Sequence, residues 1–136
     1  MAYAQWATFV IQARGALTIT IRDAVLQWGK FYDCQNKDNE VMIDQINGKT
    51  ASTGSEAKIC TCGRESSPSG TEGSFDLFDG QVHIGHLYWD CPWGSKTNTC
   101  LFTPASEDYN TQVTGGSFDS GALGVLTIRC VKMPPV

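Results

Sequence analysis

Along this chain apolar side chains recur mostly at every second position, the spacing of a strand buried on one face. Leu17, Ile19 and Ile21 alternate with Thr18, Thr20 and Arg22, and Phe75 and Leu77 flank Asp76. Residues 6–11 read as an earlier, more buried strand. Asp79-Gly80 supplies a hairpin turn, and the returning strand over 81–89 sets Val82, Ile84, His86 and Tyr88 on one face. A last strand, rich in Leu, Val, Ile and Thr, spans 122–130. No long segment carries the 3.6-residue apolar period, so helices should be scarce.

Fourteen glycines, with Ser and Asn clusters, separate these runs. Loops are expected at 36–39, 47–55, 64–73, 98–109 and 114–121. Several short strands in one small chain predict an all-β fold, a single-domain antiparallel β-sandwich over residues 1–136.

Composition narrows the function. With 41% hydrophobic and 18% charged residues the chain is globular rather than disordered. Its longest apolar stretches, such as Phe9-Val10-Ile11, fall far short of the roughly 20 residues a spanning helix needs. The net charge is −4 and the ten Lys and Arg are scattered, which disfavours nucleic acid and a polybasic grip on anionic lipid. The first residues lack a basic start followed by an apolar block, so a secretory signal is not expected and release would use an unconventional route. Six cysteines (Cys34, Cys60, Cys62, Cys91, Cys100 and Cys130) allow three disulfides in fifteen pairings, and buried reduced thiols fit equally well.

The chemistry concentrates in residues 86–100. Tyr88, Trp89 and Trp93 surround Pro92, and Gly94 and Lys96 follow. Aromatic rings beside one cation suit a zwitterionic headgroup, with rings for the ammonium and Lys96 for the phosphate. Trp and Tyr also favour the membrane–water boundary. Trp93, between Pro92 and Gly94, is placed to meet solvent. Trp28 ends a strand before Gly29-Lys30, which fits either an exposed ring or a packed one. Trp6 and Trp89 lie within strands, where core packing is the simpler account.

Other motifs fail on spacing. Gly94-Ser-Lys-Thr97 lacks the glycines of a Walker A loop, and Cys60-Thr-Cys62 has neither thioredoxin nor zinc-knuckle spacing. His83 and His86 fall on opposite sides of an ideal strand, which opposes joint metal ligation. The acidic turn from Asp33 to Glu40 lacks the glycine of an EF loop, and no Gly-x-Ser-x-Gly elbow occurs. No catalytic constellation emerges, so the chain reads as a binding protein rather than an enzyme, with no cofactor or metal.

Several stretches resemble the aegerolysin family. They are Ala2-Tyr-Ala-Gln-Trp6; Trp28-Gly-Lys30 followed by Asn36-Lys-Asp38; Cys62-Gly-Arg64 leading into Gly70-Thr-Glu-Gly-Ser-Phe-Asp-Leu77; and Asp119-Ser-Gly-Ala-Leu-Gly124. The most specific is Tyr88-Trp-Asp-Cys-Pro-Trp-Gly-Ser-Lys-Thr-Asn98. The resemblance implies an actinoporin-like β-sandwich that binds sphingolipid membranes, with sphingomyelin or ceramide phosphoethanolamine as targets and sometimes sterol. It also implies a perforin-like (MACPF) partner that forms the pore of a two-component cytolysin. By position, Trp28, Trp93 and Lys96 are the expected headgroup contacts, with Tyr88, Trp89 and Trp6 beside them. Ser69 stands where sterol-sensitive relatives carry an acid, and Cys100 where the family has a tryptophan. Cys62 and Cys91 represent the usual pair, and the other four cysteines are additional.

Two other readings compete. A lectin-like module would stack sugars on Trp28 and Trp93. A pore former acting alone needs an N-terminal amphipathic helix, whereas residues 1–11 read as strand.

Overall fold

The computed structural model describes residues 2–94 and 96–134. After a 3-10 turn at Ala2–Ala4 come β1 (Trp6–Arg14), β2 (Thr18–Trp28), β3 (Lys30–Tyr32) and β4 (Glu40–Val41). A single helical turn, α1 (Ile43–Ile46), leads to β5 (Thr50–Ser52), β6 (Ala57–Cys62), β7 (Thr71–Asp79) and β8 (Val82–Cys91). The last strands are β9 (Thr99–Pro104), β10 (Tyr109–Gly115) and β11 (Gly124–Lys132). One sheet runs β10-β11-β1-β6-β3-β4 and the other β5-β2-β7-β8-β9. The β-sandwich expected from the alternation is therefore present, and among the described residues its one parallel pair is β1 with β11.

The alternating residues build the core. Ile19, Ile21, Phe75 and Leu77 are fully buried, and so are Phe9, Ile11, Leu126 and Ile128 of the facing sheet. Trp89 sits at the centre, its ring 5.0 Å from Phe9, 5.9 Å from Phe75 and 6.1 Å from Phe31. Such tilted and edge-on packing is favoured beyond simple area burial.

Three sequence expectations change. β5 and β9 occupy segments read as loops, and β3 and β6 escaped notice because buried Cys, Thr and Lys break the alternation. The β7–β8 hairpin forms at Asp79-Gly80, but its register shifts between Leu77 and Phe78. Leu77 pairs with Gly85 while Phe78 pairs with His83, which leaves Ile84 as an inserted residue. The set Val82, Ile84, His86 and Tyr88 is therefore split: Ile84 is buried while His86 and Tyr88 point outward, and Leu87 and Trp89 take the core. The same bulge turns both histidines to one side, where Asp76 Oδ1 lies 2.7 Å from His86 Nδ1 and 3.4 Å from His83 Nε2. No group of three His, Cys, Asp or Glu side chains among the described residues is set to ligate a metal.

One disulfide, Cys34–Cys60, ties the 33–39 loop to the outer face of β6, and Cys62, Cys91, Cys100 and Cys130 are free. No helix among the described residues is long and apolar enough to cross a membrane.

Candidate functional site

At one end of the sandwich the chain passes from β2 in one sheet to β3 in the other through the single residue Gly29. Its φ is +89°, and a Cβ there would come within 2.5 Å of the Cys62 carbonyl oxygen, so only glycine permits this turn. The turn leaves Trp28 at the strand end, 58% exposed. Across the sheet, Trp28 pairs with Glu72 of β7, Glu72 pairs with Asp90 of β8, and Asp90 pairs with Thr99 of β9. Cross-strand partners share a face, so this row sets Trp28 beside two carboxylates.

The loop before β7 closes the site. Gly70 lies so near the end of β8 that a Cβ would meet the Cys91 carbonyl oxygen at 1.8 Å. Pro68, Ser69 and Gly70 thereby form one wall and Pro92, Trp93 and Lys96 the other, around a cleft of about 260 Å³ whose lining also includes Trp28, Thr71, Glu72 and Asp90. Trp93 is 40% exposed. Beneath the cleft a hydrogen-bonded chain runs from the core to the rim: Trp89 Nε1 donates to Thr71 Oγ1 at 3.0 Å, Thr71 Oγ1 donates to Thr61 Oγ1, and Thr61 Oγ1 donates to the Lys30 carbonyl at 2.9 Å. This fixes the first residue of β7.

Charge in the cleft is unevenly satisfied. Burial raises the Asp90 pKa above its ordinary value, the like charge of Glu72 raises it further, and only Lys96 opposes the shift. Glu72 accepts a hydrogen bond from the Tyr88 hydroxyl, which holds the phenol proton well above the usual range. Two facing carboxylates sharing the cleft with one lysine leave room for a second cation. Trp28 and Trp93 supply faces that an ammonium group favours.

The six residues expected at the site from sequence therefore divide. Trp28, Trp93 and Lys96 line one cleft, and Tyr88 stands behind it through Glu72. Trp89 is 0% exposed, so its ring is a core element that orients Thr71 and not a headgroup contact. Trp6 lies on the outer face of the other sheet, where it lines a separate cleft with Tyr3 and Tyr32 beneath Lys37. Both corrections have one cause: strand residues pack inward or onto their own sheet face, wherever they sit relative to a motif in sequence. Sequence reasoning missed Glu72 and Asp90, which join the site only through strand pairing, while Ser69, noted there only for lipid choice, lines the cleft from the loop before β7.

The family model described as Aegerolysin matches residues 4–133. Aegerolysin Aa-Pri1 of Cyclocybe aegerita is 43% identical over 134 residues, covering 96% of this chain and 92% of the relative. Ostreolysin A6 of Pleurotus ostreatus is 38% identical over 135 residues, covering 97% of this chain and 98% of the relative. Among solved structures, RahU protein in complex with a TRIS molecule superposes with a TM-score of 0.94 at 40% identity, covering 99% of this chain and all of that one.

Proposed function

The chain belongs to the aegerolysin family, and on that premise we propose that it is a membrane-lipid-binding protein that takes a sphingolipid headgroup into the Trp28–Trp93–Lys96 cleft. The observation that carries this reading is the convergence, in one cleft, of two exposed indoles, one lysine and two carboxylates. Lys96 meets the phosphodiester, while Trp28, Trp93, Glu72 and Asp90 surround the amine. Ethanolamine offers N–H donors to Glu72 and Asp90 that choline lacks, so the carboxylates favour ceramide phosphoethanolamine over sphingomyelin within this cleft.

The energetics explain why a membrane is needed. A charge-assisted contact adds about 1.5–3 kcal/mol and a cation–π contact about 0.5–2 kcal/mol. After association costs, one soluble headgroup binds only at about millimolar strength. Usable affinity comes from rings entering the interface and from many copies of the lipid, which makes binding steeply dependent on membrane composition.

The reading includes a perforin-like partner as pore former. Phe75, Leu77, Ile84, Leu87 and Trp89 of the β7–β8 hairpin are at most 1% exposed, so this hairpin cannot leave the fold without dismantling the core. The chain is then the recognition component of a cytolytic pair and performs no catalysis. The test is co-sedimentation with vesicles containing sphingomyelin or ceramide phosphoethanolamine, with and without sterol. Trp93→Ala and Lys96→Ala should each abolish binding with thermal stability unchanged. Binding preserved in both variants refutes the cleft, and capture of phosphate-free glycans insensitive to Lys96→Ala favours the lectin-like reading.

A further inference from the structure

Beyond the cleft, the same end of the sandwich carries another large apolar side chain that the fold leaves half exposed. Phe118, in the 116–123 loop between β10 and β11, is 47% exposed. The end of β10 and the start of β11 lie at the Trp6 end of β1, since Ala7 pairs with Gly124 and Gly115 pairs with Leu126. Trp6 pairs with Cys62, which pairs with Lys30 just past the Trp28–Gly29 turn. The loop bearing Phe118 therefore emerges beside the cleft, not at the far end.

The loop is held there. Asn98, two residues after Lys96 and 5% exposed, donates its side-chain amide to the carbonyls of Ser117 (2.9 Å) and Gly121 (3.1 Å). Its backbone N–H donates to the carbonyls of Phe118 (3.3 Å) and Asp119 (3.2 Å). Cys91 Sγ, at the end of β8, donates to Gly121 O at 3.3 Å, and Leu123 is fully buried in the core. The segment carrying the cleft lysine and the loop carrying Phe118 are thus one hydrogen-bonded unit. These bonds fix the backbone on both sides of Phe118 while its ring stays half exposed.

We propose that Phe118 is an interfacial anchor. When the cleft holds a headgroup, its ring enters the hydrocarbon boundary of the same leaflet, so that the docking surface comprises Trp28, Trp93 and Phe118. The occupant is a lipid bilayer, because this surface is continuous with a cleft for a lipid headgroup and sets three exposed aromatic rings around it. This inference rests on the headgroup reading above. Phenylalanine adds apolar area without a hydrogen-bonding tip, so it supplies partitioning while the cleft supplies selectivity.

The experiment compares wild type with Phe118→Ala, Phe118→Trp and Trp93→Ala by co-sedimentation with phosphatidylcholine vesicles containing ceramide phosphoethanolamine or sphingomyelin. Thermal melts confirm that each variant folds. Phe118→Ala should raise the lipid concentration for half-binding about tenfold, equivalent to about 1.4 kcal/mol. The change should be the same for both sphingolipids, and Phe118→Trp should restore binding. Half-binding of Phe118→Ala within twofold of wild type, while Trp93→Ala is lost, overturns the anchor and leaves the headgroup reading standing. Failure of wild type to bind either vesicle removes both. Loss in Phe118→Ala with Trp93→Ala unaffected refutes the cleft and, with it, an anchor that acts alongside a bound headgroup.

Discussion

Replacing Asp90 by asparagine should stabilise the fold and weaken its hold on an amine. Asp90 and Glu72 face each other across β7 and β8, and like charges so placed destabilise a sheet by roughly 0.2–1 kcal/mol. Asp90 is the better member to change because Glu72 also accepts the Tyr88 hydroxyl. The substitution forfeits some attraction to Lys96, which on a surface is worth well under about 1 kcal/mol. The net gain at neutral pH is then about 0.5 kcal/mol, or a rise of roughly 2 °C in Tm for a domain of this size. The pH dependence gives the sign. In the folded chain the Asp90 pKa lies above its ordinary value, so the folded state keeps a proton that the unfolded state has released. Its penalty is complete above the folded pKa and disappears as pH falls below the unfolded one. Urea titrations at neutral pH and at about pH 3 should show Asp90→Asn more stable only at the higher pH. In vesicle sedimentation the same variant should bind ceramide phosphoethanolamine about tenfold more weakly, the loss of one charge-assisted contact of about 1.5 kcal/mol. A variant less stable at neutral pH, an advantage persisting in acid, or unaltered lipid binding would refute the reasoning.

Two further outcomes follow from the same structure. The Cys34–Cys60 bridge spans a sequence separation of 26, and chain-entropy arguments assign such a closure about 3.5 kcal/mol. Cys34→Ser should therefore lower the unfolding free energy by about 3 kcal/mol in urea, with no further loss on adding reductant, and a loss below about 1 kcal/mol would contradict that account. Vesicles that bind the chain should retain an encapsulated dye until a perforin-like partner is added, and leakage with the chain alone would assign the pore to it.

The fold was legible where one face of a strand is apolar and the other polar. Leu17, Ile19 and Ile21, and Phe75 and Leu77, alternate because each strand faces the core on one side and water on the other. β6 carried no such signal, since five of its six residues are buried: the Cys34–Cys60 bridge and the aromatic cluster around Tyr3, Trp6 and Tyr32 cover its outer face. Lys30 is likewise buried, its ammonium donating to the Tyr3 hydroxyl at 2.7 Å, which a hydropathy pattern reads as exposed. Half of the site was legible because Trp93 and Lys96 belong to one short loop. Glu72 and Asp90 were not, because β7 and β8 bring them beside Trp28 only in three dimensions.

The Ile84 bulge determines which residues of β8 the cleft receives. Counting outward from the Asp79-Gly80 turn, Asp79 pairs with Val82 and Phe78 with His83. Continued without interruption, that register would oppose Glu72 to Trp89 and turn Leu87 and Trp89 toward solvent. The inserted residue moves every later pair by one, so Glu72 meets Asp90 and Ser74 meets Tyr88. One residue thus exchanges the two faces of the strand, as a single-step register change must. Trp89 becomes the centre of the core and the donor that fixes Thr71, while Asp90 reaches the cleft as the partner of a second carboxylate. The tryptophan that a motif-based reading assigns to the lipid and the aspartate that it overlooks exchange roles for the same geometric reason. A hairpin without the bulge would keep its sequence motif intact and lose both its core and its amine site.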